Sequence, residues 1–364
     1  MFKKPSNAET HSSLSTLYSN KQVTFEHLRS RTKNEAMLQA LDEAEAWSCI
    51  DDPVLLLGET GCGKNMVAQA IHNSKGRDGQ FYEINCAGIP ETLFESEVFG
   101  TMKGAFTGSI DRAGKVEAAK GGTLFLDEIS ELTLLLQSKL LSFIEQKKFA
   151  RVGSTMVQAA DVYIVCATNK SLVELQDPAH FRQDFFYRLA QCVPIPSLRE
   201  RKDDIPSLIH LFAESYQKKI GLQDIVVESD VTPWLQEYQW PGNIRQLKHA
   251  VERGIHRAVI EAKKQAAQKS AKADWIKMAA HEIGQISLKI AHIPKEICYD
   301  EANFGTRLEE KEGSDMSLAV AVKRHILQVW KTQDKNCTKA AKQLAIGRQT
   351  LYRKLAEYGE SSDD

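Results

Sequence analysis

The stretch Gly58-Glu59-Thr60-Gly61-Cys62-Gly63-Lys64-Asn65 constrains this chain more than any other. It follows the apolar run Val54-Leu55-Leu56-Leu57 directly and precedes a helical pattern from Met66 to Ile71. Strand, glycine-rich turn, helix is the context in which GxxxxGK cradles phosphate. The glycines let successive backbone N–H groups point inward as an anion nest. The helix N-terminus adds the positive end of its dipole. Lys64 is then placed to reach the β- and γ-phosphates of a nucleotide. Asn65 stands where the generic motif has a Ser or Thr for Mg²⁺. Cys62 reads as a small residue that fits the loop, with oxidation sensitivity the lesser alternative.

From about 53 to 196, short apolar runs alternate with amphipathic helical patterns. Strands are expected at Val54–Leu57, 81–84, 123–126, 162–167 and 192–195. They are continuous apolar runs, which fits a parallel sheet buried on both faces. The fold class expected is α/β, a P-loop core with a parallel sheet. Helical spacing also runs from Phe25 through Met37, Leu38, Leu41 and Ala44. Residues 198–259 read as all-helical, with Trp240-Pro241-Gly242-Asn243 as a turn, and 260–314 as helix followed by linker. Residues 1–24 are polar and Ser-rich, and are expected to lack structure.

Asp127 and Glu128 end an apolar run, so both carboxylates belong at the C-terminal edge of the sheet, where open α/β folds bind ligands. Asp127 is the expected Mg²⁺ holder and Glu128 the group that orients and deprotonates the attacking water. Thr168 and Asn169 end another strand. They suit sensing of a γ-phosphate, and capping of the next helix competes with that reading. Arg182 and Arg188 fit either a cation supplied to the transferring phosphoryl group or a pair of surface salt bridges. Arg245, in the first turn after Trp240–Asn243, fits a lid residue reaching the nucleotide or a solvated charge.

The chain is 42% hydrophobic and 26% charged, with no apolar run of bilayer length. Its start lacks the apolar core of a secretion signal. The seven cysteines include no CxxC pair, so a reducing, cytoplasmic setting without membrane contact is expected. The formal net charge is −1, yet 316–354 holds nine Lys or Arg against one acidic residue, Asp334. That +8 segment points to a polyanion partner. Within it, Thr338 to Ala345, then Ile346-Gly347, then Arg348 to Leu355 has the helix-turn-helix layout. Leu344, Ile346, Leu351 and Leu355 would form its core. Arg348, Gln349, Thr350, Tyr352, Arg353 and Lys354 would meet double-stranded DNA. A three-helix interaction domain is the competing reading.

These motifs carry a resemblance. The chain resembles the sigma-54-dependent transcriptional activators, the bacterial enhancer-binding proteins of the AAA+ ATPase class. The most specific mark is Gly104-Ala105-Phe106-Thr107-Gly108-Ser109, where the family has GAFTGA in a loop that contacts the sigma factor. Supporting marks are Glu95 to Gly100, Gly121 to Glu128, and Trp240-Pro241-Gly242-Asn243-Ile244-Arg245.

The resemblance implies ATP and Mg²⁺ as cofactors and assigns roles. Lys64 matches Walker A; Asp127 and Glu128 match Walker B. Asn85 matches the asparagine that holds the catalytic glutamate. Thr168 and Asn169 match sensor I, and Arg245 sensor II. Arg182 and Arg188 match arginine fingers that act across a subunit boundary, so a ring, typically a hexamer, is implied. The nucleotide contacts implied are Gly58, Glu59, Thr60, Gly61, Cys62, Gly63, Lys64 and Asn65, then Ala119, Lys120, Gly121, Gly122, Thr123, Leu124, Phe125, Leu126, Asp127 and Glu128, then Thr168, Asn169 and Arg245.

The implied layout is a segment 1–24, an ATPase core 25–196, a helical lid 197–260, a linker 261–315 and a Fis-type helix-turn-helix domain 316–364. The implied activity is ATP-driven remodelling of sigma-54 RNA polymerase from upstream DNA. Ser109, Asn65, Thr101 and Met102 depart from the family pattern. The first two motivate an alternative, a DNA-binding regulator or repressor that binds nucleotide without remodelling. No receiver segment precedes Phe25, so control is expected from expression level, a regulatory protein in trans or the N-terminal stretch; the ring is expected to be a homo-oligomer or mixed.

Overall fold

A computed structural model of the chain describes residues 23–106, 108–189, 191–269 and 285–294, and singly Ile326, Trp330, Cys337, Ala341, Thr350, Leu351, Lys354 and Leu355. The chain divides into two units, Met1–Ile297 and Cys298–Asp364.

In the first unit, helices α1 (Phe25–Arg29) and α2 (Glu35–Ser48) precede β1 (Val54–Leu57). Then come α3 (Lys64–Ser74), β2 (Phe81–Asn85), α4 (Glu91–Phe99), the short hairpin β3 (Gly100–Thr101) and β4 (Arg112–Ala113), and α5 (Lys115–Ala118). After β5 (Thr123–Asp127) and α6 (Leu134–Gln146) comes a second hairpin, β6 (Lys148–Phe149) and β7 (Gln158–Ala159). The core closes with β8 (Tyr163–Thr168), α7 (Leu172–Leu175), α8 (Gln183–Arg188) and β9 (Gln191–Pro194). The helical spacing that begins at Phe25 splits in two, because Thr24 caps α1 and Asn34 caps α2 with side-chain oxygens.

Five strands make one parallel sheet in the order β2-β5-β8-β1-β9. Each lies within one residue of its expected position. Every residue of β1 and β8 is buried. Leu55, Leu124, Leu126 and Ile164 pack on one face against Phe94, Val98 and Phe143. Val54, Leu56, Phe125 and Val165 pack on the other against Leu41, Val67 and Ile71. Coverage of both faces is why these strands are apolar without alternation.

The lid consists of α9 (Ile205–Ile220), β10 (Asp224–Val227), α10 (Val231–Glu237), α11 (Asn243–Lys269) and β11 (Gln285–Leu288). The all-helical reading of 198–259 is corrected here, since β10 pairs in parallel with β11 from Asp224↔Gln285 to Val227↔Leu288. The reading of 261–315 as helix and linker is also amended. Ile286, Leu288 and Ile293 join Phe212, Leu247, Val251 and Ile255 in the lid core. Each of these strands is only four residues long, so its apolar spacing sits inside patterns that also suit a helix or a linker. Among the described residues, no helix is long and apolar enough to cross a membrane.

In the second unit, Ile326, Trp330, Cys337, Ala341, Leu351 and Leu355 are buried helical residues. Leu351 and Leu355 thus occupy the core expected of them. Leu344, Ile346 and the segment 1–22 lie outside the described residues.

Candidate active site

The turn after β1 brings the phosphate cradle to the C-terminal edge of the sheet. Gly61 and Gly63 take φ of +80° and +112°, which L side chains rarely adopt. A Cβ at Gly61 would also lie 2.6 Å from the Gly242 carbonyl oxygen. Lys64 opens α3 and is 6% exposed. Its ammonium donates to the Gly58 carbonyl at 2.6 Å and the Glu59 carbonyl at 3.3 Å, so it is held inside the loop.

A cleft of about 340 Å³ opens here. Thr60, Gly61, Gly63, Lys64, Asn65, Asn85, Asp127, Glu128, Asn169 and Arg245 line it, as expected. Met66, Ala87, Glu131, Lys248 and His249 line it too and were not expected. A mostly apolar pocket of about 90 Å³ shares Gly63 and Met66 with it, and adds His27, Leu28, Arg31, Leu208, Leu211 and Ile244. In the sequence Leu28, Leu208, Leu211 and Ile244 are apolar helical positions and His27 and Arg31 belong to no motif, so nothing marked them as a site.

Glu128 adopts a left-handed backbone, φ 54°, costly for a non-glycine residue. Its carboxylate accepts from the Asn169 N–H at 3.1 Å and the Thr60 hydroxyl at 3.4 Å, and lies 3.8 Å from the Lys64 ammonium. Asp127 accepts from the Glu128 N–H at 3.1 Å. The carboxylates and carboxamides of the cleft form an oxygen-rich donor set, which suits Mg²⁺ carried on nucleotide phosphates. Among the described residues no group of three or more His, Cys, Asp or Glu stands ready to hold a metal alone.

Several expected contacts fall elsewhere. Asn85 pairs in register with Asp127 but does not hold Glu128; its side-chain oxygen accepts from the Ala87 N–H at 3.0 Å, capping a 3₁₀ turn. Thr168 is fully buried and bonds the Ser130 hydroxyl at 2.8 Å, so only Asn169 of that pair faces the cleft. Ala119, Lys120, Gly121, Gly122 and Thr123 to Leu126 do not line it. A strand advances about 3.3 Å per residue, so the start of β5 sits at the opposite sheet edge from Asp127. Gly58 and Glu59 are also outside the lining. Cys62 is buried, and burial pushes its thiol up, against easy oxidation. Asn65 turns its side-chain oxygen to Gln69 at 2.9 Å. Arg182 binds Asp184 through two nitrogens, at 2.6 and 3.1 Å, and Arg188 binds Asp52 at 3.2 Å. Neither arginine reaches the cleft of its own chain.

A latch that the sequence reading missed joins loop and lid. Asn243, fully buried at φ 52°, accepts from the Leu198 N–H at 2.7 Å. Its amide donates to the Glu59 carboxylate at 3.0 Å and the Thr60 carbonyl at 3.1 Å. Arg199 grips the same carboxylate with both terminal nitrogens. Arg199 first, then Asn243, hold the Glu59 carboxyl below its ordinary value. Arg201, buried, donates to the Cys62 carbonyl, and Asp204 accepts from Thr32 at 2.8 Å.

Residues 31–195 match the Sigma-54 interaction domain, 199–270 the AAA+ ATPase lid domain, and 323–358 the bacterial regulatory protein, Fis family. The transcriptional activator RocR of Bacillus subtilis is 35% identical over 333 residues, 90% of this chain and 68% of RocR. The chain belongs to the sigma-54-dependent transcriptional regulators. The regulatory protein LuxO of Vibrio cholerae is 38% identical over 314 residues, 84% of this chain and 57% of LuxO. This regulator therefore spans little more than half the length of that relative, and 44% of the nitric oxide reductase transcription regulator NorR2 of Cupriavidus necator. The crystal structure of NtrX from Brucella abortus in complex with ATP aligns with a TM-score of 0.62 and 27% identity, covering 92% of this chain and 71% of that one.

In this sigma-54-dependent regulator the Gly104–Ser109 motif sits on the loop that the β3–β4 hairpin projects. Thr101 donates to the Ile110 carbonyl at 2.8 Å, and the Lys103 N–H to Asp111 at 2.7 Å. The Ser109 hydroxyl accepts from the Phe106 N–H at 3.1 Å, so this departure from the family motif closes the loop's tip. Phe106 is 48% exposed at that tip. Gly153, φ +82°, lets the 151–154 turn support the loop, because a Cβ there would lie 2.6 Å from the Ala105 Cβ. Of the expected DNA-facing residues, Thr350 is exposed and Lys354 half-buried. Thr107, Arg348, Gln349, Tyr352 and Arg353 lie outside the described residues.

Proposed function

We propose that this chain hydrolyses ATP in a homo-oligomeric ring, a hexamer, and uses the cycle to remodel sigma-54 RNA polymerase from upstream DNA. The observation that carries the reading is the cleft in which Lys64, Asp127, Glu128 and Arg245 meet. The triphosphate lies along the cradle, and the base enters the apolar pocket beside Gly63 and Met66. Lys64 leaves its loop carbonyls for the β- and γ-phosphates. Asp127 would hold Mg²⁺, which would neutralise charge on the phosphates. Glu128 orients the attacking water and takes its proton, and Asn169 faces the γ-phosphate.

Arg182 and Arg188 act in a neighbour's cleft. Such a cation is worth about 10³–10⁵ in rate, or about 4–7 kcal/mol of barrier. Their exchange of Asp184 and Asp52 for phosphate makes hydrolysis depend on assembly. Glu128 bridges Asn169 and Thr60. Its release on γ-phosphate binding is the switch that moves the loop at Phe106 toward the sigma factor. The domain assignment proposed is core 25–196, lid 197–260 with the strap 285–294 added, and a DNA-binding domain 316–364. There Arg348, Gln349, Thr350, Tyr352, Arg353 and Lys354 meet the duplex.

Steady-state ATP turnover tests the chemistry. Wild type turns over with a rate per subunit that rises with protein concentration, and Asp127→Ala abolishes it. Undiminished turnover in that variant removes the mechanism. Wild-type protein that binds nucleotide and DNA without turnover supports a regulator that does not remodel.

A further inference from the structure

Among the described residues, the most buried lid cation of the nucleotide cleft has no counter-ion. Lys248 is 7% exposed and lines the cleft from α11. Among the described residues its ammonium makes no hydrogen bond and no ion pair. Burial pulls its pKa below the ordinary lysine value. Glu252 one turn on opposes that pull without coming into ion-pair range, and Lys219 of α9 adds to it. The stem is buried and the ammonium is partly desolvated at the cleft; partial desolvation of an ammonium without a partner is unfavourable, and such a cost is characteristic of functional sites.

The surroundings show what would relieve it. Arg245, Lys248 and His249 stand at i, i+3 and i+4, one face of α11, and all three line the cleft. The same cleft is lined by the anion cradle of Gly61, Gly63 and Lys64 and by the carboxylates of Asp127, Glu128 and Glu131. Asp127 is engaged locally and Glu128 by the cradle and Asn169, and among the described residues none of the three pairs with Lys248.

We propose that Lys248 is a second phosphate-binding residue of the lid, beside Arg245, left unpaired by the chain's own side chains and paired by the polyphosphate of an incoming nucleotide. The inference rests on the nucleotide reading above. It makes the lid's most buried cleft cation a sensor of nucleotide charge. Without a phosphate partner this side chain carries a penalty that nucleotide binding removes, so lid position and nucleotide binding are coupled through one side chain.

The test uses the full chain, with Mg²⁺ and the slowly hydrolysed analogue ATPγS as probe. Lys248→Met keeps the apolar stem and removes the charge. Its thermal midpoint without nucleotide is expected to rise above wild type, its ATPγS-induced shift to shrink, and its affinity to fall about tenfold or more, the loss of one charge-assisted hydrogen bond. Lys248→Arg is expected to restore most of the affinity. A Met variant that binds ATPγS as tightly as wild type overturns the proposal. So does one whose midpoint falls without nucleotide, since that outcome assigns Lys248 a structural role. Wild-type protein that fails to bind ATPγS overturns the nucleotide reading itself, which separates the two failures.

Discussion

Replacing Asn243 by Ala should uncouple the phosphate loop from the lid at a large cost in stability. Three hydrogen bonds disappear, to the Leu198 N–H, the Glu59 carboxylate and the Thr60 carbonyl. The Leu198 N–H is buried and finds no replacement, which costs about 1–3 kcal/mol. The bond to Glu59 is worth about 1 kcal/mol after discounting the 40% exposure of that carboxylate. Ala at φ 52° adds about 1 kcal/mol, since only Gly and Asn or Asp visit that region easily. The sum is about 3–5 kcal/mol, and for a unit of this size each kcal/mol lowers the midpoint by about 2–4 °C. A fall of about 10 °C is therefore expected in thermal unfolding followed by tryptophan fluorescence, with Trp240 buried three residues away as a local reporter. Asn243→Gly relieves the backbone strain alone and should unfold a few degrees above the Ala variant. A loss under about 2 °C in the Ala variant, or a Gly variant less stable than Ala, would refute the reasoning.

Other outcomes follow from the same contacts. Phe106→Ala should retain ATP turnover and lose open-complex formation; retained promoter opening removes the loop from the coupling path. Gly153→Val, with its strained backbone and a Cβ 2.6 Å from that of Ala105, should depress open-complex formation more than ATP turnover, and an equal loss of both would contradict a local effect on the loop. The Glu59 carboxyl is held below its ordinary 4.5 by Arg199, so the stability it supplies is present above that value and vanishes as pH falls through its lower folded value. The midpoint difference between wild type and Arg199→Met should accordingly shrink as pH falls from about 6 to about 3; a constant difference counts against the ion pair.

How much of this was legible in the sequence depends on the range of the interaction. The five core strands were, because buried parallel strands are continuous apolar runs and two of them end in Asp127 and Thr168. The phosphate cradle was, because glycine at Gly61 and Gly63 and lysine at Lys64 are local requirements of one turn. The latch was not: Glu59, Arg199 and Asn243 are 140 or more residues apart or on separate elements; alone, Glu59 reads as a phosphate-loop residue and Asn243 as part of a turn. Expecting Asn85 to hold Glu128 failed for a local reason, since the 3₁₀ turn after β2 claims its side chain. The strap 285–294 was hidden because β11 finds its partner 61 residues back, and a lone four-residue strand has no period to detect. Lys248 carries no local mark of its place, since its burial comes from packing that the helical pattern of α11 does not encode.

The central claim is that nucleotide hydrolysis here drives promoter opening. Its most direct test is open-complex formation by purified sigma-54 RNA polymerase on a promoter carrying an upstream site for this chain, probed by single-strand-specific footprinting. Open complexes are expected with this protein and ATP, and are expected to be absent with ATPγS or with Asp127→Ala. Promoter opening that proceeds equally without hydrolysis, or that fails in the presence of measured ATP turnover and bound DNA, would contradict the account.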